Sequence, residues 1–521
     1  MATPADQQIF DAPSSAVQGP ELPRTFAGWM AVFGPGAVIA SLTIGAGELI
    51  FSSRAGSIFG YRVLWFFLLV LLLKWVLVYT AARQMVLTGA HPFQRWMEFP
   101  GPRGWFPMVL VILAILCFPI WVCFHSGTIG TLLAAATGTH GAFAGAAHYV
   151  WGMGILAVVL VLCVTGGYAA LEKIQLAITL IMLGCVTVAL FLIQPDWFGL
   201  MTGALIPQSF HYPPWLTPET HPEFAHRAVW VEAITYVGVL GGSSYDYLAY
   251  VSYLRDKRWG QAGRSIASRA ELHQMEQAPA HPNRRWIRAI LIDATLSFLA
   301  VLVFTIVFVA CGAAVLGPQQ KIPGGSNLLA FQSEFVTAVH PALSTLYFAG
   351  AFLAILGTLY GTIEVAPTVL REMAFAFNPE KSRREAKRLR LWAIGWVCFG
   401  GFVLLTWSVL YHLRSGQANP PGLIALLTPA NLFTGVLGCG LVCLLTVWAE
   451  FKYLPKNLRF GPVLVTLTLA AGVVFVALGF KGYWDWHRTR WIPFAILAAT
   501  LGAGWFVAWI FESVRKNRSR D

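Results

Sequence analysis

Residues 34–65 read GPGAVIASLTIGAGELIFSSRAGSIFGYRVLW. An apolar helical run is interrupted by Gly45-Ala46-Gly47, about where the middle of a bilayer would fall, and an apolar run resumes at Leu49. Glu48 sits at the interruption. Two glycines in three residues weaken a helix, and backbone groups freed inside hydrocarbon persist only where they face protein or a cavity. A carboxylate within a membrane is costly and marks a functional site by default. A broken span with an acid at its break is the sequence mark of a transporter binding site. The structural alternative is that the glycines permit close helix packing and Glu48 caps the half-helix that follows, where an anion suits the N-terminal dipole. Packing alone requires no acid, so the functional reading is carried forward.

The rest of the composition agrees. Of 521 residues, 57% are hydrophobic and 12% charged, and the mean hydropathy is +0.64. Such values exclude a soluble globular protein, and many separate apolar runs exclude a single anchor. The formal charge of +12 lies in short loops between apolar spans. It reads as a topology signal facing anionic membrane lipid rather than as a nucleic-acid surface. All eight cysteines fall in apolar spans without metal-ligand spacing to histidine, so no disulfide framework, zinc site or other cofactor is expected. GxSxG, HExxH and P-loop patterns are absent, and the glycines of 438–440 lie in an apolar span with no preceding strand. An enzyme is not expected.

Length and hydrophobicity predict about twelve spans, at 28–51, 61–87, 105–134, 147–167, 171–193, 229–254, 287–316, 341–370, 389–412, 421–450, 461–480 and 491–514. The organisation is a tail at 1–27, spans 1–6 over 28–254, a basic loop at 255–286, spans 7–10 over 287–450, two further spans over 451–514 and a tail at 515–521. With the N-terminus inside, Arg83, Arg95, Arg103, the 255–288 and 371–390 segments, Lys452, Lys456, Arg459 and the RKNRSR tail all face the cytoplasm. Most of the 36 Lys and Arg are then inside, which predicts a multi-pass inner-membrane protein of a bacterium with both termini cytoplasmic. The long 194–228 loop faces out. Its prolines and aromatics predict an ordered cap, and His211, His221 and His226 within it read as solvated loop residues.

A second interrupted span answers the first. In VWVEAITYVGVLGGSSYDYLAYVSYL, residues 229–254, Gly241-Gly242-Ser243-Ser244 breaks the helix and Asp246 follows. Breaks five spans apart suit two five-span repeats of inverted topology with a site between them. The local alternative for Asp246 is a helix cap.

The stretches GPG…AGSIFGYRVLW (34–65), GGYAALEKI (166–174), PDWFGLMTGALIP (195–207) and IRAILIDA (287–294) resemble the Nramp family of divalent-metal transporters, position by position. The resemblance implies an all-α polytopic membrane protein with a LeuT-type arrangement: inverted five-helix repeats, helices 1 and 6 broken, and extra C-terminal spans. The family's functional motifs differ here. Its Asp-Pro-Gly-Asn at the first break is Gly45-Ala46-Gly47-Glu48, and its Met-Pro-His at the sixth is Gly242-Ser243-Ser244. Its acidic pair in the third span, associated with proton passage, aligns with Trp121 and Phe124, beside His125.

Losing the thioether removes a soft ligand, and a carboxylate in place of an amide adds charge. Oxygen donors from Glu48, Asp246, Ser243, Ser244 and the freed carbonyls around Gly45, Ala46 and Gly242 suit a harder divalent cation such as Mg²⁺, Mn²⁺ or Ca²⁺. Glu48 and Asp246 are the candidate metal ligands. An organic cation held by the same acids and by Tyr236, Tyr245 and Tyr247 is the alternative. Among the other intramembrane polar residues, Lys74 and Glu232 read as span-end or paired groups, Asp293 and a lone His125 as structural, and Asn431 carries no assigned role. Glu364, in GTLYGTIEVAP, is the candidate proton or cation relay, with His125 as its substitute. The expected function is secondary transport of a cation, foremost a divalent metal ion. The rivals are a carrier of a small organic cation or amino acid, and a non-transporting sensor of the kind found in plant ethylene signalling. A chain that stops about seven residues beyond the last span lacks the output domain a sensor would need.

Overall fold

The computed structural model describes residues 44–165, 169–221, 224, 227–337, 339–415, 422–486 and 491–518, with Thr25 and Gly28. Those two residues apart, the expected N-terminal tail and the first half of span 1 lie outside the described residues, as do residues 166–168 and His226. Among the described residues every regular element is a helix.

Among the described residues nine helices are long and apolar enough to cross a membrane, or ten if Leu180–Ile193 and Trp197–Leu205, bent by 115°, form one span. Two physical features account for the difference from twelve. Ala46–Thr88 counts as one run of 43 residues, which at 1.5 Å per residue is about twice a bilayer core. The helix geometry fails at Gly60, which takes φ 62° and ψ −150°, and a 3₁₀ turn over Gly60–Val63 leads into the second span, Leu64–Thr88. The sixth span falls short because its halves, Val229–Val239 and Ser244–Asp256, have 11 and 13 residues. Dividing the first run and joining the sixth brings the ten, counted with the bent pair as one span, to twelve.

The turn at Gly60 sets a depth. Glu48 lies twelve residues before it and Lys74 fourteen after it, so an antiparallel hairpin brings both to about 20 Å below the turn. The 194–228 segment covers that end of the hairpin. Asp196 Oδ1 accepts from the Gly199 amide at 2.8 Å to start the helix Trp197–Leu205. Phe210 stacks on Trp65 with ring centroids 5.9 Å apart, and Tyr212 stacks on Phe59 at 6.1 Å.

Burial separates core from periphery. In span 10, Leu423–Tyr453, 83% of the most apolar window is buried, against 28% for Pro462–Asp485 and 17% for Trp491–Ser513. The last two spans therefore present apolar side chains such as Val463, Trp491 and Phe511 outward, where lipid meets them.

Buried ion pairs tie the helices at both ends. Arg54 Nε lies 2.6 Å from Glu232 Oε1, and Arg227 Nε lies 2.7 Å from Glu232 Oε2. Arg54 also donates to the Pro323 carbonyl at 2.6 Å and sits over the Phe224 ring. This joins the second half of span 1 to the start of span 6. At the other end Arg255 pairs with Glu372 at 2.5 Å, and Arg83 with Glu450 at 2.9 Å. Removing one carboxylate from a buried pair costs about 3–5 kcal/mol, because the guanidinium groups stay buried without it. Glu232→Ala is expected to lower the free energy of unfolding in detergent by that amount, and with it the melting temperature, and Glu232→Gln by less. A Glu232→Ala protein that melts like wild type would show that this cluster does not hold the two spans together.

Candidate functional site

Each half-span begins where its sequence frees the backbone. At the first break Gly45 takes φ −162° and ψ −107°, and a π-helical stretch, Ala46–Ser52, starts after it. The Leu49 amide donates to the Gly45 carbonyl at 3.0 Å. At the sixth break Val239 ends one half-helix, and Gly241 and Gly242 carry the chain through φ 72° and 99°, values that side chains with a Cβ rarely adopt. The second half-helix restarts at Ser244, where the Ser243 amide donates to Asp246 Oδ2 at 2.7 Å. Asp246 thus caps this half-helix, as the local reading expects.

The two breaks lie against each other. A Cβ on Gly47 would sit 2.9 Å from the Val239 carbonyl oxygen, so glycine permits this approach. Span 10 comes equally close. Its π-helical stretch Leu432–Leu437 places Gly435 against the Gly238 backbone.

The carbonyls freed at the sixth break have donors within the chain. Lys74, fully buried in span 2, donates from Nζ to the carbonyls of Leu240 and Gly242 at 2.6 Å each and to that of Gly238 at 3.5 Å. Tyr247 Oη donates to the Gly241 carbonyl at 2.6 Å. Lys74 is therefore neither a span-end residue nor one member of a direct ion pair. Its ammonium acts electrostatically on both Glu48 and Asp246. Sequence reasoning missed this role because the partners are backbone atoms more than 160 residues away. The available signal was a lysine within the apolar run LLLKWVL.

Beside the breaks lies a cavity of about 570 Å³, counting its open mouth. Span 1 contributes Ala46 and Gly47 to its wall. Span 6 contributes Gly242, Ser243, Tyr245 and Asp246, and span 3 contributes Cys117, Phe118, Trp121 and His125. Thr358 and Thr362 of span 8 and Thr434 of span 10 close it. Of the candidates, then, Ala46, Gly242, Ser243, Asp246 and His125 meet at one cavity. Gly45 instead packs on Thr358, and Ser244 lies against Gly438. Glu48 stands behind the wall. It is fully buried, and neither carboxylate oxygen has a hydrogen-bond partner of normal geometry, although the Gly241 amide faces it.

Other candidates are engaged elsewhere. Glu364 is off the wall, held by Arg390 through oxygens at 2.5 and 2.7 Å. Trp121 donates its indole N–H to Thr434 Oγ1 at 3.1 Å, and Phe124 packs on Phe51. Tyr236 Oη donates to Glu232 Oε1 at 2.6 Å, so Tyr245 is the aromatic of the three that reaches the cavity. Asp293 accepts from Tyr250 Oη at 2.9 Å, and Asn431 Nδ2 donates to the Thr235 carbonyl at 2.8 Å. His211 bonds Arg62 at 2.7 Å while His221 contacts Thr220, so these two histidines do not converge. Among the described residues no group of three or more His, Cys, Asp and Glu is placed to hold a metal ion.

A family model described as natural resistance-associated macrophage protein-like, Nramp, matches residues 36–485. The chain is similar to a manganese transporter from Eremococcus coleocola, solved in complex with an aromatic bis-isothiourea substituted compound. The identity is 15%, with 98% of this chain and 99% of that chain covered and a TM-score of 0.61. A histidine-to-alanine mutant of that transporter aligns at 14% identity over 97% and 98% of the two chains, with a TM-score of 0.64. MhsT in complex with L-phenylalanine aligns at 16% identity over 90% and 100%, with a TM-score of 0.50. At these identities the likeness establishes the fold, the LeuT-type arrangement of broken helices. No curated protein sequence matches the chain.

Cys117 is the thiol on the cavity wall among the described cysteines. A membrane-impermeant methanethiosulfonate added to purified protein is expected to label it, and Cys117→Ser to abolish the fraction of labelling that bound cargo blocks. Unchanged labelling in Cys117→Ser would mean that water does not reach this cavity.

Proposed function

The chain belongs to the natural resistance-associated macrophage protein-like family, and from that premise we propose that it is a secondary transporter moving a cation, foremost a divalent metal ion, through the cavity between spans 1 and 6. It is a transporter and not an enzyme. One observation carries the choice of a cation: two acids, Glu48 and Asp246, lie at helix breaks that press on one another beside a cavity. Lys74 supplies a single positive charge against them, so the cluster with both acids ionised favours cations.

The roles follow from placement. Asp246 and Ser243 offer oxygens at the wall, and His125 offers a nitrogen. Its Nδ1 has no partner among the described residues, and its ring stacks on Trp121. Glu48, behind the wall, acts through the field it adds. One structure similar to this chain is a manganese transporter, and Mn²⁺ accepts carboxylate, hydroxyl and imidazole donors. Alternating access would come from movement of the half-helices against the surrounding bundle. The basic loops favour cytoplasmic termini and a bacterial inner membrane.

A small organic cation is the second reading. Phe118, Trp121 and Tyr245 on the wall suit cation–π contact.

Uptake into proteoliposomes, comparing Mn²⁺, Mg²⁺ and Ca²⁺ with amines and amino acids, decides between the two. For whichever cation is carried, Asp246→Asn keeps the helix cap but removes the charge, and should weaken binding about 30-fold or more, equivalent to about 2 kcal/mol. A change under about threefold, the size of a cap effect, would return Asp246 to a purely structural role.

The family's third-span acidic pair is absent here, and Glu364 is held by Arg390. A pH gradient is therefore expected to change the initial uptake rate by less than about twofold. Strong acid stimulation that survives both Glu364→Gln and His125→Ala would show a proton route through other residues.

A further inference from the structure

The contacts of Lys74 have the form of an ion site rather than of a salt bridge. Its direct partners are carbonyl oxygens of alternate residues, Gly238, Leu240 and Gly242, at 3.5, 2.6 and 2.6 Å. Two positive-φ glycines shape the chain so that these oxygens converge. Converging carbonyls replace the hydration shell of a small cation, and the seat is sealed, with Lys74 fully buried. Both nearby carboxylates act on the ammonium from a distance, and neither hydrogen-bonds it. A lysine kept only to neutralise Asp246 or Glu48 would be expected to touch one of them.

We propose that Lys74 is the resident cation of the sixth-span break: its tethered ammonium fills a carbonyl seat that would otherwise take a free monovalent cation. The chain then completes its site without an alkali co-ion there. The fixed charge also sets the selectivity of the neighbouring cavity, because a cargo cation enters a cluster that already holds one positive charge. The seat itself stands on its geometry, and only the uptake arm of the test rests on the transporter reading.

The experiment measures melting temperature in detergent and uptake in proteoliposomes for wild type, Lys74→Ala and Lys74→Met. About 100 mM choline chloride is exchanged for NaCl, KCl or ammonium chloride at equal ionic strength, since a ligand bound only by the native state raises its stability. Wild type should be indifferent to the exchange in both readouts. Lys74→Ala vacates the seat, so it should melt lower in choline and recover with a small cation, with uptake following. Lys74→Met fills the space without charge. It should be insensitive to salt, with uptake reduced about tenfold because the carbonyls of Gly238, Leu240 and Gly242 lose their donor. Wild type stabilised by Na⁺ over choline would mean that the seat is not already filled. Lys74→Met carrying cargo like wild type, or Lys74→Ala unfolded in every salt while Lys74→Met is active, would also overturn the proposal. Melting needs no cargo, so a failure of the seat and a failure of the transporter reading are told apart.

Discussion

A carbonyl freed inside hydrocarbon must find a donor, and the sixth span frees several within five residues. Each one left unmet would cost several kcal/mol. The bonds from Lys74 to Gly242, Leu240 and Gly238, with that from Tyr247 to Gly241, meet this demand. They also dictate much around them. Span 2 must run beside the break at the depth of its lysine, which the turn at Gly60 provides by folding the chain back beside Glu48. Leu71, one turn before Lys74, packs against Gly241 and leaves no room there for a larger residue. A shift of the sixth-span break must therefore carry span 2 with it or strip its carbonyls of their donor.

The charges at mid-depth are arranged differently from those at the ends. At the ends acids touch guanidinium groups: Glu232 meets Arg54 and Arg227, Glu372 meets Arg255, and Glu450 meets Arg83. These contacts spend the charge locally and clamp helices together. Among the described residues at mid-depth no acid touches a base. The lysine binds carbonyls, Asp246 binds a backbone amide, and Glu48 binds no side chain. Field that is not spent on a direct pair remains available to a mobile cation in the adjoining cavity. Clamps at the ends and unspent charge at the centre are what a carrier needs, since it must hold its bundle together and its cargo loosely.

The breaks were legible because glycine pairs and acids are conspicuous in apolar runs, and the spans because hydrocarbon thickness fixes their length. What the chain brings together across the bundle was not legible. Glu364 reads as a lone intramembrane acid, yet Arg390, one span later, holds it with two bonds. Glu48 and Asp246 look equivalent in sequence, each two residues into its half-helix, yet Asp246 lies on the wall and Glu48 behind it. Lys74 was noticed without a role, because its partners are main-chain atoms that carry no signature of their own.

Replacing the family's thioether by Gly242 suggests that soft ligands have gone. Yet Cys117 and His125, eight residues apart on span 3, both face the cavity that Asp246 lines. Eight residues are close to two helical turns, which puts a thiol and an imidazole on one face about 12 Å apart along the helix. That is too far for one ion to bind both, but close enough for each to serve a different position along a path. The threonine hydroxyls at 358, 362 and 434 donate to carbonyls of their own helix, so they offer a cation lone pairs without competing for it as donors. A cation passing this wall would thus meet mixed donors in succession and one unspent carboxylate charge. On the transport route proposed above, such a path would favour a borderline metal ion that keeps part of its water over a bare ion demanding a full cage.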